Sequence, residues 1–425
     1  MTVTGIIAEY NPFHNGHLYH LKRAKKDTGA DYIVVVMSGD FVQRGAPAIV
    51  DKYVRTKMAL EAGADLVLEL PVYYAVSSAD YFAKGATTLL DKLGVVNALS
   101  FGSEHGRIED LTGIAALASH ETPAYSVALN QYLVEGKSFA YANTHALMDA
   151  CEDAHLKLLL NEIMSYPNNT LGITYIRSLM ARNSSITPHT IYRAKSEFDD
   201  NSPGAYSATS VRSELMRTGN VASLSSQVPD FVLKEIQTNY RKTFPLTRKD
   251  FSALLLYKLR SLAFLEEMQK LAENGMAHAF SDYLDVSGSL ARRIIACMNQ
   301  YDNYKQFTDL LKTRNMTYSS ISRALMHILL DIRKDLMNTF VENDYIGYAR
   351  MLGFRQDAQP LLTEIKKNST IPLISKLKDA PSSLDDTSQK MLQSDIFAAE
   401  LYEQVACSKF SHPFRSEYTQ EIIKI

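Results

Sequence analysis

Apolar positions recur along this chain in two successive rhythms. Through roughly its first half, short apolar runs alternate with segments of helical spacing; after about residue 245 the helical spacing alone persists. Residues 3–8 read as a first strand, and residues 15–28 as an amphipathic helix with Leu18, Leu21 and Ala24 on one face. YIVVVM at 32–37 is a second strand, mostly β-branched, as expected where both faces of a parallel sheet are covered. A glycine-punctuated loop at 38–47 leads to a helix at 51–61 with Asp51 as its N-cap. DLVLEL at 65–70 is a third strand, a helix follows at 78–93, and 95–101 is a fourth strand ending in the turn Gly102, Ser103, Glu104. Strands separated by helices in this way imply a parallel sheet with right-handed crossovers, whose ligands bind beyond the carboxyl ends of the strands. That end collects three turns, at residues 9–17, 38–45 and 102–104.

Residues 107–185 read as mostly helical, with SYPNNT at 165–170 opening the last helix, where Asn168 or Asn169 is a candidate N-cap. A fifth strand is expected at 186–194. A polar loop then runs into SATSVR and a helix ending near Gly219. Beyond residue 245, FSALLLYKLRSLAF, SGSLARRIIACM, SISRALMHILLDI and QKMLQSDIFAAELYEQVA are long amphipathic helices. The expected architecture is α/β, a doubly wound parallel sheet with a mainly helical C-terminal domain. Residues 1–220 form the catalytic unit in this reading and 221–425 the helical one.

The chemistry concentrates where the first strand meets the first helix. The first turn of a helix carries unpaired N–H groups and the positive end of the macrodipole, which makes it an anion site. His14 and His17 fall on one face there, and Gly16 lets a phosphate approach the backbone. Nucleotidyl transfer needs charge neutralised on an α-phosphate while pyrophosphate leaves, and positioning more than acid–base work. The two histidines can donate hydrogen bonds to those oxygens, and Lys22 or Arg44 can hold the leaving phosphates. Asp40 and Arg44, at the ligand end of the sheet, suit a metal, substrate or pyrophosphate, or else a surface ion pair. Gly102 is either a turn glycine or a place where adenine packs on backbone. Ser207, Thr209, Ser210 and Arg212 form a second candidate phosphate clamp at a helix start, although Ser and Thr are also common caps. The histidine spacing would also allow a zinc pair, but no third ligand is evident and no protein metal site is expected.

At 425 residues the chain is long enough for two or more cores. Its net charge of −2 excludes a wholly basic nucleic-acid coat but not a local basic face. Arg292, Arg293, Lys312, Arg314, Arg323, Arg333 and Lys334 are candidates for RNA contact in the helical half, or simply a solvated face. Cys151, Cys297 and Cys407 show no CxxC or Cys/His metal spacing and read as free thiols of a reduced compartment. No uncharged apolar stretch is long enough to span a membrane, so a cytoplasmic protein is expected.

The run GIIAEYNPFHNGHLYHLKRAKK resembles the HIGH-motif nucleotidyltransferases, whose Rossmann-like fold is shared with class I aminoacyl-tRNA synthetases. MSGDFVQRGAPAIVDKYVRTKMAL, DLVLELP, FGSE, PNNTLGITYI and SATSVR, in that order, resemble one branch, the bacterial tRNA(Met) cytidine acetate ligases. The resemblance implies that acetate is activated by ATP, with Mg²⁺, to acetyl-adenylate, and that the acetyl group passes to N4 of the wobble cytidine of elongator tRNA(Met). It implies ATP contacts along Ile7, Ala8, Glu9, Tyr10, Asn11, Pro12, Phe13, His14, Asn15, Gly16, His17, Leu18, Tyr19 and His20. Gly102, Asn168, Arg193 and Ala194 complete that set. SATSVR stands where synthetases carry a Lys-Met-Ser-Lys-Ser loop, which argues against a synthetase. The alternative is a small-molecule nucleotidyltransferase acting on a phosphorylated cofactor precursor, which would need no large helical appendix.

Overall fold

The computed structural model describes residues 1–120, 122–193, 207–272, 279–313 and 316–425, the side chains of 269–272 excepted. Ala194 and Arg314 lie outside the described residues. Five parallel strands form the centre of the sheet: β1 (Val3–Ala8), β2 (Tyr32–Ser38), β5 (Leu66–Leu70), β6 (Ala98–Ser103) and β7 (Thr187–Tyr192). A short ribbon, β3 (Phe41–Val42) paired with β4 (Ala46–Pro47), lies in the loop after β2. The central strands lie side by side in the order β5-β2-β1-β6-β7. The order reverses between β1 and β6, and ligand crevices form at such a switch point, outside the carboxyl ends.

Alternate residues of the central strands feed two cores. Val34, Val36, Leu66 and Leu68 point to one face, Ile33, Val35, Met37 and Val67 to the other, and all are fully buried. Burying such a side chain is worth about 1.5–3 kcal/mol, so a one-residue slip in register would be costly. Helix α1 (Asn15–Asp27) packs Leu21 and Ala24 on the second face, joined there by Met58 and Ala59 of α2 (Lys52–Glu61). The short α3 (Val72–Ala75) leads to α4 (Ala79–Lys92), which covers the first face with Phe82, Ala86, Leu89 and Leu90. Asp51 caps α2 by accepting from the N–H groups of Tyr53 and Val54. Helices α5 (Ile108–Ser119), α6 (Pro123–Val134), α7 (Phe139–Ala150), α8 (Ala154–Met164) and α9 (Pro167–Ala181) fill the span between β6 and β7.

Three expectations change. The fourth strand runs to Ser103, so Gly102 and Ser103 are its last residues rather than a turn. Asn168 is not a cap; Tyr166 takes that place at α9, whose first residue is Pro167. Most consequentially, the late half supplies strands: β8 (Ala349–Phe354) pairs antiparallel with β5, while β9 (Leu373–Ile374) and β10 (Ile423–Lys424) run parallel to β8. These residues extend the same sheet that the first half builds. All six residues of β8 are buried, so no polar alternation betrays the strand within its helical surroundings.

Buried charge joins the two halves. Lys52 Nζ lies 2.9 Å from Glu69 Oε1 and 3.1 Å from Glu417 Oε2, and Arg350 lies 3.0 Å from Glu69 and in contact with Glu417. Arg55, fully buried, donates from Nη1 to the carbonyls of Glu9 (2.7 Å) and Ser38 (3.0 Å) and from Nη2 to that of Gly39 (2.5 Å). It ties the end of β1 to the end of β2.

Candidate active site

The turn between β1 and α1 is built from buried side chains that hold backbone. Tyr10 adopts φ 47° and the Asn11–Pro12 peptide is cis. Asn11 Oδ1 accepts from Ile49 N (2.7 Å), and Glu9 Oε1 accepts from Gln43 N (2.9 Å). Phe13 and Tyr10 press on the His17 ring at centroid distances of 5.5 and 4.9 Å.

His14 caps α1. Its Nδ1 accepts from Gly16 N (3.0 Å), while His17 Nδ1 accepts from His14 N (3.3 Å), and the two rings stack at 3.7 Å. A neutral imidazole that accepts at Nδ1 carries its proton at Nε2. The reciprocal cap therefore leaves both rings with an Nε2–H donor. Burial, then the charges of Arg193 and Arg212, lower the His14 pKa to about 3. His17 is held well below its ordinary value by burial, then His14, Arg193 and His20, and burial takes His20 to about 3. All three are neutral donors at physiological pH.

These rings line a cavity of about 40 Å³ with Gly16, Tyr19, Gly102, Ile191, Tyr192 and Arg193. It sits at the switch point between β1 and β6. Arg193 donates its backbone N–H to Ser103 O (2.9 Å) and lays its side chain over Gly102, where a Cβ would stand 2.7 Å from Arg193 Cδ. Of the expected ATP-contacting residues, His14, Gly16, His17, Tyr19, His20, Gly102 and Arg193 thus meet around one cavity. Tyr10, Asn11 and Phe13 are buried braces of the turn.

The SATSVR segment arrives at the same place. Ser207 caps the helix α10 (Ala208–Thr218), and Ser207 and Ser210 spend their hydroxyls on a reciprocal capping box. Arg212 donates from Nη1 to Asn11 O (2.6 Å) and from Nη2 to Thr209 Oγ1 (3.1 Å), so its guanidinium is fixed against the turn that precedes His14. Gln227 O accepts from Asn15 N (3.0 Å) and Ser226 O from Asn15 Nδ2 (3.0 Å), which anchors the first residue of α1.

Other expected residues stand elsewhere. Lys22 is exposed in a groove with Lys25, Lys26, Gly63 and Asp65, at the amino end of the strands. Five residues past His17 the helix has turned it to another face, so it cannot share phosphates with the histidines. Arg44 is exposed at the ribbon turn, where its carbonyl accepts from Arg248 Nη2 (2.8 Å). Asp40 is buried, not a surface pair: Oδ1 accepts from Lys52 N (2.7 Å), and burial raises its pKa to about 7 against the lowering charges of Lys52 and Arg55. It lies behind the turn and outside the cavity lining. Asn168 donates from Nδ2 to Glu104 Oε1 (2.5 Å) and Asn169 N donates to Glu104 Oε2 (3.1 Å), so the PNN segment steadies the residues after Gly102 from behind.

Sequence reasoning missed Ile191 and Tyr192 as cavity walls, and the chain from His20 Nε2 to Ser100 Oγ (3.2 Å) to His189 Nδ1 (3.1 Å). The signal available for them was position alone: Ser100 on β6, His189, Ile191 and Tyr192 on the neighbouring β7, and His20 one turn after His17 on α1.

A sequence model of the HIGH Nucleotidyl Transferase family matches residues 1–416. The tRNA(Met) cytidine acetate ligase of Thermoanaerobacter sp. (strain X514) is 40% identical over 97% of this chain and 99% of its own length. That of Acetivibrio thermocellus is 38% identical over the whole of both chains. Among solved structures, Thermotoga maritima TmcAL bound with alpha-thio ATP superposes with a TM-score of 0.87 at 29% identity, and the apo form with 0.90, each over 100% of both chains. By family model, by relatives matched end to end and by fold, the chain belongs to the HIGH nucleotidyl transferases and, within them, to the tRNA(Met) cytidine acetate ligases.

Proposed function

We propose that this protein activates acetate with ATP as acetyl-adenylate and transfers the acetyl group to N4 of the wobble cytidine of elongator tRNA(Met), giving N4-acetylcytidine. The observation that carries the reading is the cavity at the switch point, where two neutral histidines and Arg193 converge in a chain of this family. In the first step an acetate oxygen attacks the α-phosphorus and the bond to pyrophosphate breaks. Nε2–H groups of His14 and His17 donate to the α-phosphate oxygens, where charge is rearranged, and Arg193 balances the phosphates from the opposite wall. Gly102, lacking a Cβ, leaves room for the Arg193 side chain to lie along that wall. In the second step the N4 lone pair attacks the acetyl carbon, AMP leaves, and N4 gives up a proton. Cytosine's exocyclic amine is a poor nucleophile, which is why an activated acyl group is required; the protein contributes positioning.

No carboxylate stands among the described residues lining the cavity, a donor set that suits Mg²⁺ entering with the triphosphate. A wobble base is single-stranded and can be splayed into a pocket. Residues 221–425 are proposed to bear the tRNA.

Acetate-dependent exchange of labelled pyrophosphate into ATP without tRNA tests the first step. Nucleoside mass spectrometry after incubation with ATP, acetate and tRNA(Met) tests the second. Absence of exchange with acetate would overturn the reading.

A further inference from the structure

The long helix Asp386–Phe410 ends on Ser411, whose left-handed φ of 58° turns the chain back along the helix. That reversal brings three metal-ligating groups together at one spot. Glu403 and Cys407 are one helical turn apart, and His412 folds onto them from beyond the cap. Cys407 Sγ lies 3.8 Å from Glu403 Oε1 and 3.5 Å from His412 Nδ1, and Nδ1 lies 3.8 Å from the same carboxylate oxygen. A tetrahedral zinc with Zn–S near 2.3 Å and Zn–N and Zn–O near 2.0 Å sets its ligand atoms roughly 3.3–3.5 Å apart. Shifts of a few tenths of an ångström would close the observed triangle around an ion. Cys407 is buried and Glu403 half-buried, which shelters the spot.

We propose that Glu403, Cys407 and His412 form a metal site that takes one zinc-class divalent cation, with a fourth position for water. Binding deprotonates the Cys407 thiol, releasing one proton to solvent, and requires the His412 tautomer protonated at Nε2, so that Nδ1 exchanges the hydrogen bond it is placed to donate to Pro413 O (3.1 Å) for the metal. Carboxylate and thiolate together neutralise the ion. Without a cation the two acids oppose each other: burial, then Glu403, raises the thiol pKa, and burial raises that of Glu403. Mixed sulfur, nitrogen and oxygen ligands suit zinc over magnesium or calcium, which take oxygen alone.

The site's role follows from what comes next in the chain. Arg415 N donates to Glu403 Oε1 (3.2 Å), Ser416 Oγ donates to Glu400 (2.7 Å), and Glu417 then enters the buried cluster beside Lys52 and Arg350. The ion would fasten the returning segment that delivers Glu417.

The test uses the full-length, untagged protein. Metal analysis after growth with zinc is expected to give one zinc per chain, and cobalt(II) replacement a thiolate-to-cobalt charge-transfer band. Cys407→Ser is expected to abolish the band while Cys297→Ser retains it, and chelation is expected to lower Tm by several degrees. If Cys407→Ser fails to fold, the wild-type cobalt spectrum decides. No retained zinc together with no thiolate band, or a band that survives Cys407→Ser, would overturn the proposal.

Discussion

At the residue scale, the histidine pair does two jobs with one arrangement. Nδ1 of each ring satisfies a backbone N–H at the start of α1, and this fixes the proton at Nε2. The sequence makes the pair legible as phosphate donors; the geometry adds that the cap is the device that aims them. His14→Ala or His17→Ala is expected to lower acetate-dependent pyrophosphate exchange by about 10²–10³-fold, the usual cost of one transition-state donor. Tm should fall only modestly if the helix start can recruit water. The same burial sets a pH expectation. A histidine whose folded pKa is depressed to about 3 stays neutral above that value, so the ring signals of His14 and His20 should show no titration between pH 5 and 8 by NMR. A transition near 6.5 in either ring would refute the assigned burial.

At the scale of elements, the site is a meeting of ends: the start of α1, the last residues of β6 and the residue after β7. The strand rhythm predicted this, because parallel strands place all their exits at one end. Sequence could not show which polar residues within each exit face inward. Lys22 looked apt because it follows the histidines closely, yet helical rotation and axial rise carry it to the other end of the sheet. Asp40 looked apt because it stands on an exit loop, but its carboxylate is consumed by the start of α2. Gly102 is the clearest element-level constraint, since strand β6 needs room there for Arg193. Gly102→Ala places a methyl 2.7 Å from Arg193 Cδ, and is expected to raise the KM for ATP about tenfold or more with little change in Tm, as one arginine is displaced from the wall. An unchanged KM would show that the arginine does not use that space.

At the scale of the molecule, the sheet does not respect the change of texture near residue 245. Five strands were readable because each is a short run rich in apolar or β-branched residues bounded by turns or helical segments. β8 was not, since Arg350 and Gly353 break its apolar run, it stands among long helical segments, and its partner lies far away in sequence. The ionic cluster was equally invisible: Lys52, Glu69, Arg350 and Glu417 come from four separate segments and resemble surface charges in sequence. Removing one partner leaves buried cations under-compensated. Glu417→Gln is expected to cost about 3–5 kcal/mol in urea unfolding, whereas a solvated surface pair would cost less than about 1 kcal/mol.

The antiparallel pairing of β5 with β8 also has a consequence in time. During synthesis β5 leaves the ribosome roughly 280 residues before its neighbour, which at about 5–20 residues per second leaves its edge unpaired for some 15 s to a minute. An open apolar strand is a template for another chain's backbone. The interval makes the nascent protein a natural client for whatever shields such edges, and slower translation of the second half would lengthen the exposure.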